Sequence, residues 1–198
     1  MDALVFDLDG TLLRLERAYR DVLADAIADV RGDAPDGWLA AYDDAFFAGF
    51  DAFEPAPVRR AFDRIDGCSD PEPYAAALLE RELESLAPPA NVHADLERLA
   101  ESFELGVLTD GVRDWQLEKL RAHDLEPYVD AIVASYDVSA HKPALAPYRE
   151  LEERLPADRY AMIGDSDADI EGARNAGWAA YRYDGGGFGE LPEAIGER

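Results

Sequence analysis

Two aspartates, Asp7 and Asp9, follow an apolar run in the segment LVFDLDGTLL at positions 4–13. The run predicts a short buried strand, and the Gly10–Thr11 pair predicts a turn at its end. Two carboxylates one residue apart repel each other unless a cation lies between them or one of them is protonated. Open α/β sheets bind their ligands at the carboxyl ends of strands. The segment therefore predicts a charged ligand site at such an end.

Three later segments place polar side chains in similar surroundings. The segment ELGVLTDG predicts a second short strand, which ends in the hydroxyl of Thr109. In the tripeptide HKP, Lys142 lies directly before a proline and a predicted helix. The segment AMIGDSDAD predicts a third strand, followed by Asp165 and Asp169. If a helix begins near position 166, these two aspartates lie four residues apart on one helix face.

The order of these segments is DxDGT, strand–Thr, Lys-Pro and GDxxxD. It resembles the four motifs of the haloacid dehalogenase-like (HAD) hydrolase superfamily. The resemblance covers about the whole chain, and the first and last motifs are the specific ones. It implies an α/β fold, with a Rossmann-like parallel sheet as core and an inserted all-helical cap of the C1 type. The activity it implies is that of a Mg²⁺-dependent phosphatase of small phosphorylated metabolites, similar to phosphoglycolate phosphatase.

The resemblance also implies roles for individual residues. Asp7 is the expected nucleophile, which forms an aspartyl-phosphate, and Asp9 is the expected acid and base. Lys142 is expected to clamp the phosphate and to pair with Asp7. Phosphate oxygens are expected to meet the Thr109 hydroxyl and backbone N–H groups of the two residues after it, Asp110 and Gly111. Asp110 departs from the asparagine that is commoner in the family, and it adds negative charge beside the phosphate.

The expected cofactor is Mg²⁺, a hard cation that prefers oxygen ligands. By the same resemblance its ligands are Asp7, the backbone carbonyl of Asp9 and Asp165. Asp169 is expected to act as a further ligand or through a water molecule. N-capping plus solvated charge is the alternative explanation for the acids around Asp165.

The residue at position 9 bears on which reaction is catalysed. Dehalogenases of the superfamily lack an aspartate there, and the phosphonate-cleaving members carry a small residue, so Asp9 favours hydrolysis of phosphate esters. A sugar phosphomutase remains an alternative, and so does a non-catalytic member that binds phosphate or a partner. Substrate carboxylates could be bound by arginines in or near the insert, for which the candidates are Arg14, Arg17, Arg59 and Arg60.

The composition favours a globular protein with an unusually acidic surface. Of 198 residues 48% are hydrophobic, which is enough for a buried core, and the formal net charge is −24. The acids are spread over the whole sequence, as in proteins adapted to concentrated salt, with an acidic enzyme of ordinary salt requirement as the alternative. Such a charge argues against nucleic acid and membranes as partners, and we expect a monomer or homodimer. One cysteine and no recognisable leader favour a cytoplasmic protein.

The spacing of apolar residues predicts helices and no strand from 14 to 87, and alternating helices and strands after Pro88–Pro89. The predicted helices are 15–30, 38–53, 57–66, 72–86, 94–102, 113–123, 144–154 and 168–176, and the later strands are 104–109, 130–134, 159–163 and 178–182. This pattern predicts a discontinuous core of 1–13 and 88–198. The segment 14–87 leaves the core directly after the Gly10–Thr11 turn, so we expect a cap that acts as a lid, with an ordinary helical subdomain as the alternative.

Overall fold

The computed structural model describes residues 1–191. By its contacts the chain divides into two compact units, one made of Met1–Arg14 and the chain from Ala87 on, the other of Leu15–Leu86. The strands, in chain order, are β1 (Asp2–Phe6), β2 (Arg14–Leu15), β3 (Leu86–Ala87), β4 (Phe103–Thr109), β5 (Ala131–Ala134), β6 (Tyr160–Gly164) and β7 (Ala179–Arg182). The helices are α1 (Tyr19–Arg31), α2 (Asp36–Asp51), α3 (Pro57–Asp63), α4 (Glu72–Ser85), α5 (Val92–Ala100), α6 (Arg113–Ala122), α7 (Ser135–Val138), α8 (Leu145–Arg154) and α9 (Asp167–Ala176).

The first unit is built on a five-stranded sheet in the order β5-β4-β1-β6-β7, and every adjacent pair is parallel. Its strands are nearly continuous apolar runs because helices cover a parallel sheet on both faces. Val5, Leu108 and Met162, from three neighbouring strands, are fully buried in one hydrophobic cluster. This confirms the predicted α/β fold with a Rossmann-like sheet.

The sheet order places a topological switch beside β1. The chain adds β4 and β5 on one side of β1 and then crosses to β6 on the other side. Connections therefore diverge around the carboxyl end of β1, and this is the position where open α/β sheets form a ligand crevice. In the strand register Phe6 pairs with both Val107 and Ile163, so the residues that follow these strands come out at the same edge.

The second unit is helical, as the apolar spacing predicts. Its core is aromatic: Tyr42 of α2 packs on Phe62 of α3, with ring centroids 4.6 Å apart, and Phe62 stacks on Tyr74 of α4. Tyr42 and Phe62 are fully buried. α1 begins at Tyr19 rather than near 15.

Two features of the observed fold differ from the predicted elements. The two-residue strands β2 and β3 pair with each other where the chain passes from one unit to the other, although no strand was expected from 14 to 87. The four-residue helix α7 follows β5 directly. Both features are too short for hydrophobic periodicity to reveal. Among residues 1–191 no helix is long and apolar enough to cross a membrane.

Candidate active site

Asp7 lies at the carboxyl end of β1 and is joined to a buried lysine. Its backbone N–H donates to the carbonyl of Ile163, which continues the β1–β6 ladder by one residue. The Lys142 ammonium donates to Asp7 Oδ1 at 2.6 Å and also to Asp169 Oδ1 at 2.6 Å. All three side chains are buried, so one cation bridges two carboxylates out of contact with bulk water.

The electrostatics of this trio show an excess of negative charge. Burial raises the pKa of Asp7 from 3.8 to about 7, and the carboxylates of Asp169 and Asp9 add to the rise, whereas Lys142 opposes it. Burial by itself lowers the pKa of Lys142, but Asp7, Asp169 and Asp110 together raise it above its ordinary value. Lys142 therefore stays charged, and its single charge does not balance the acids around it.

A third carboxylate completes an acidic group in which a cation fits. Carboxylate oxygens of Asp7, Asp165 and Asp169 all lie within 4.8 Å of one another, and Asp165 is the exposed member. Hard oxygen donors with a net negative charge suit Mg²⁺, which keeps several waters and takes few protein ligands. The group thus brings together three of the residues expected at the metal site, and the open side of Asp165 faces solvent.

Asp169 reaches this group by a route that differs from the expected helix face. The helix α9 begins at Asp167, and Ser166 is its N-cap, whose hydroxyl accepts the Asp169 backbone N–H at 3.2 Å. Asp169 Oδ2 accepts in return from Ser166 N at 3.0 Å and from Ser166 Oγ at 2.6 Å, a capping box. Asp169 therefore lies in the first helical turn while Asp165 precedes the helix. Gly164 provides the space, because a Cβ there would collide with the Asp169 side chain.

Gly10 is required by the same close packing. Its φ of +101° is in the region that favours glycine, and a Cβ at this position would lie 2.5 Å from Asp165 Oδ2. The turn after Asp9 can thus approach the Asp165 carboxylate only without a side chain. The DxDGT and GDxxxD motifs are in this way packed directly against each other.

The Asp9 carboxylate is held by two residues of α6. Lys119 Nζ donates to Asp9 Oδ1 at 2.9 Å and to Oδ2 at 3.1 Å, and Gln116 Nε2 donates to Oδ2 at 2.8 Å. The Asp9 carboxylate is not one of the three grouped carboxylates, and the expected role of its backbone carbonyl as a metal ligand stays a prediction. Gln116 and Lys119 were not among the predicted site residues. The signal for Lys119 was present, because Lys119 and Lys142 are the only lysines in the sequence.

Thr109 ends β4 and is buried beside Asp9. Its Oγ1 accepts a hydrogen bond from Gln116 Nε2 at 2.6 Å.

The two residues after Thr109 are held by the segments around Lys142 and Ser135. The Asp110 carboxylate accepts the backbone N–H of Lys142 at 3.1 Å, so this aspartate connects the loop after β4 to the segment of Lys142. The expected Gly111 donor is occupied, because its N–H donates to the hydroxyl of Ser135 at 2.9 Å. Ser135 is fully buried, and the Gly111 amide thus fixes the loop instead of being free for phosphate.

Three of the four arginines proposed for substrate binding lie in ion pairs on the surface, and the fourth, Arg14, is also exposed. Arg17 donates to Asp25 at 2.7 Å, and Arg59 donates to Glu72 at 2.8 Å. Arg60 lies 3.9 Å from Glu54. Exposed pairs of this kind contribute little to stability, so these side chains can exchange partners at low cost.

Comparison with known proteins places the chain in a family. Residues 1–177 match the haloacid dehalogenase-like hydrolase family, and the chain belongs to it. It is 28% identical to the HAD-hydrolase YfnB of Bacillus subtilis over 188 residues, which are 88% of this chain and 80% of YfnB. It is 32% identical to the pyrophosphatase PpaX of Halalkalibacterium halodurans, over 46% of this chain and 43% of PpaX. The match therefore spans less than half the length of that pyrophosphatase.

Solved structures agree with the fold. The 2-haloacid dehalogenase of Pseudomonas syringae superposes with a TM-score of 0.73 at 24% identity, over 98% of both chains. YfnB, in a crystal structure with bound magnesium, superposes with a TM-score of 0.63 at 22% identity, over 90% of this chain and 84% of that one. The chain is a hydrolase of this family.

Proposed function

We propose that the protein is a Mg²⁺-dependent phosphatase that hydrolyses small phosphorylated metabolites through an aspartyl-phosphate on Asp7. The observation that carries the proposal is the buried Asp7 at the end of β1, paired with Lys142 at 2.6 Å and grouped with Asp165 and Asp169.

The proposed reaction has two steps. In the first, an Asp7 oxygen bonds to phosphorus, the ester bond breaks, and Asp9 gives a proton to the departing oxygen. In the second, water attacks phosphorus, the bond to Asp7 breaks, and Asp9 takes the proton back. Lys142 holds Asp7 in place and the Thr109 hydroxyl binds a phosphate oxygen. Mg²⁺ held by Asp7, Asp165, Asp169 and the Asp9 backbone carbonyl would neutralise charge on the transferring group.

The presence of Asp9 supports phosphate esters over haloacids, because hydrolysis of an ester needs a proton donor for the alkoxide and haloacid cleavage releases an anion that needs none. We further propose that the unit Leu15–Leu86 is the cap that selects the substrate. Its support is its place in the sequence, immediately after the catalytic turn.

The net charge of −24 and the scarcity of lysine support a protein adapted to work in concentrated salt. Solvated carboxylates repel each other, and salt screens that repulsion. The proposal therefore includes a requirement for high KCl.

Phosphate release from a panel of phosphorylated compounds tests the proposal. The panel contains triose, sugar and sugar-acid phosphates and also pyrophosphate, the substrate in the name of the PpaX relative. Each compound is assayed with Mg²⁺ or EDTA, in low and in multimolar KCl, and Asp7→Asn is the control. We expect release that needs Mg²⁺ and disappears in Asp7→Asn. Interconversion of sugar phosphates without release would instead identify a phosphomutase, and a folded protein inert in every condition would contradict both.

A further inference from the structure

Two buried polar residues of α6 contact the Asp9 carboxylate. Gln116 and Lys119 are 2% and 4% exposed, and they lie three residues apart on one face of α6. Lysine is almost never this deeply buried unless it is paired. The chain uses arginine at every basic position except 119 and 142, and both lysines contact an aspartate of the DxDGT motif.

The contacts fix the orientation of the Asp9 carboxylate. Lys119 holds both of its oxygens, at 2.9 and 3.1 Å, and Gln116 holds Oδ2 at 2.8 Å. The Asp9 side chain is still 42% exposed, so one side of it is held by protein and the other is open to a reactant. A side chain that is held on one side and open on the other is preorganised for proton transfer.

Gln116 also connects Asp9 to the phosphate-binding hydroxyl. The same Nε2 that donates to Asp9 donates to Thr109 Oγ1 at 2.6 Å, and its two hydrogens serve these two short bonds, while the Asp110 carbonyl lies farther away at 3.4 Å. Because Thr109 Oγ1 accepts from Gln116, its own hydroxyl hydrogen is directed to another acceptor, such as a phosphate oxygen. One buried amide thus orients two groups that would contact the same substrate.

We infer that Gln116 and Lys119 are positioning residues, which hold Asp9 for proton transfer to the leaving group and aim the Thr109 hydroxyl. The inference rests on the proposed phosphatase function and assigns to it two further residues. Loss of Lys119 should therefore slow the step in which Asp9 donates its proton. The loss should have a smaller effect on a substrate whose leaving group departs without taking up a proton.

The test compares two phosphate esters in wild type and in Lys119→Met. The kcat/KM value covers the steps up to departure of the leaving group. An alkyl phosphate needs a proton from Asp9, whereas p-nitrophenyl phosphate releases a stable phenolate. We expect Lys119→Met to lower kcat/KM by about tenfold or more for the alkyl ester and by only about threefold or less for the aryl ester. The matched control is Arg121→Met, which removes the same charge from the exposed side of α6, where Arg121 pairs with Glu118 and Glu126.

A double-mutant cycle with Asp9→Asn separates positioning from a structural role. If Lys119 acts through Asp9, Lys119→Met causes no further loss of kcat/KM in the Asp9→Asn background. Lys119→Arg, which keeps a charged donor, should restore part of the alkyl-ester activity. If Lys119→Met does not fold, judged by circular dichroism, Lys119→Gln gives the same comparison.

Failure of the proposed phosphatase function and failure of the positioning role give different results. Folded wild-type protein that releases phosphate from neither these esters nor any compound of the panel overturns the proposed function and this inference with it. An active wild type in which Lys119→Met slows both esters equally, or adds a further loss to Asp9→Asn, overturns the inference and leaves the phosphatase function standing.

Discussion

Replacing Asp7 by asparagine should make the metal-free protein more stable while abolishing its activity. Asp7 is buried, and its pKa is raised from 3.8 to about 7, first by burial and then by neighbouring carboxylates. The native carboxyl therefore binds its proton more tightly than the unfolded one. Asparagine has nearly the same shape as the protonated acid and carries no charge, and Lys142 keeps its bond to Asp169 at 2.6 Å.

The magnitude and its pH dependence follow from linkage. A tenfold change in proton affinity corresponds to about 1.4 kcal/mol, so ionised Asp7 costs the native state about 4 kcal/mol at pH 8. Between about pH 4 and 7 the native state holds more protons than the unfolded state, so the free energy of unfolding falls as pH rises. The gain from Asp7→Asn should accordingly be small near pH 4 and should reach its full size above pH 7.

Urea unfolding in EDTA and constant KCl, at several pH values from 4 to 8, measures this difference. The control is Asp44→Asn, which removes a negative charge from the exposed surface of α2 and should change stability by less than about 0.5 kcal/mol at every pH. Adding Mg²⁺ should stabilise the wild type and reduce the advantage of Asp7→Asn, since a ligand that binds only the native state stabilises it. Equal stability of wild type and Asp7→Asn at pH 8 in EDTA would refute the reasoning.

Three other perturbations test the packing and the charge. Gly10→Ala and Gly32→Ala both place alanine at a positive φ, +101° and +92°, and each should lower the free energy of unfolding by about 1 kcal/mol. Only Gly10→Ala should also weaken the stabilisation by Mg²⁺ in thermal melts, because its Cβ displaces the Asp165 carboxylate. Gly172→Ala forces a Cβ into the buried ring of Tyr148 and should lower the free energy of unfolding by about 1–3 kcal/mol. The matched control is Gly37→Ala, which has open space around its Cβ and should raise the free energy of unfolding by about 0.5–1 kcal/mol. The wild-type melting temperature should rise with KCl into the multimolar range, and a flat response would contradict salt adaptation.

The sequence predicts the elements of the sheet because each strand contains an apolar run with a polar residue at or just after its end. β1, β4 and β6 carry Asp7, Thr109 and Asp165 just at or after their ends, and the parallel register brings those ends to one edge. The helix α7 and the strands β2 and β3 escape prediction because two to four residues contain no complete hydrophobic period.

Within the candidate site, what the sequence does not reveal is which side chain meets which. Spacing suggested that Asp165 and Asp169 share a helix face, whereas the capping box with Ser166 turns Asp169 back toward Lys142. The rarity of lysine marks Lys119 and Lys142 equally as candidate functional residues. The partner of Lys119 could not be predicted, because its contact with Asp9 joins residues 110 positions apart. Such a contact depends on how α6 packs against β5 and its other neighbours, and no local pattern encodes that packing.

Trapping the covalent intermediate tests the central claim most directly. Wild-type protein is mixed with a phosphate ester that it hydrolyses, quenched in acid within one turnover and reduced with borohydride, which converts an aspartyl-phosphate to homoserine. Peptide mass mapping then locates the modified residue. The account predicts homoserine at position 7 in the presence of Mg²⁺ and none in EDTA. Efficient hydrolysis with an unmodified Asp7, or with modification at another residue, would contradict it.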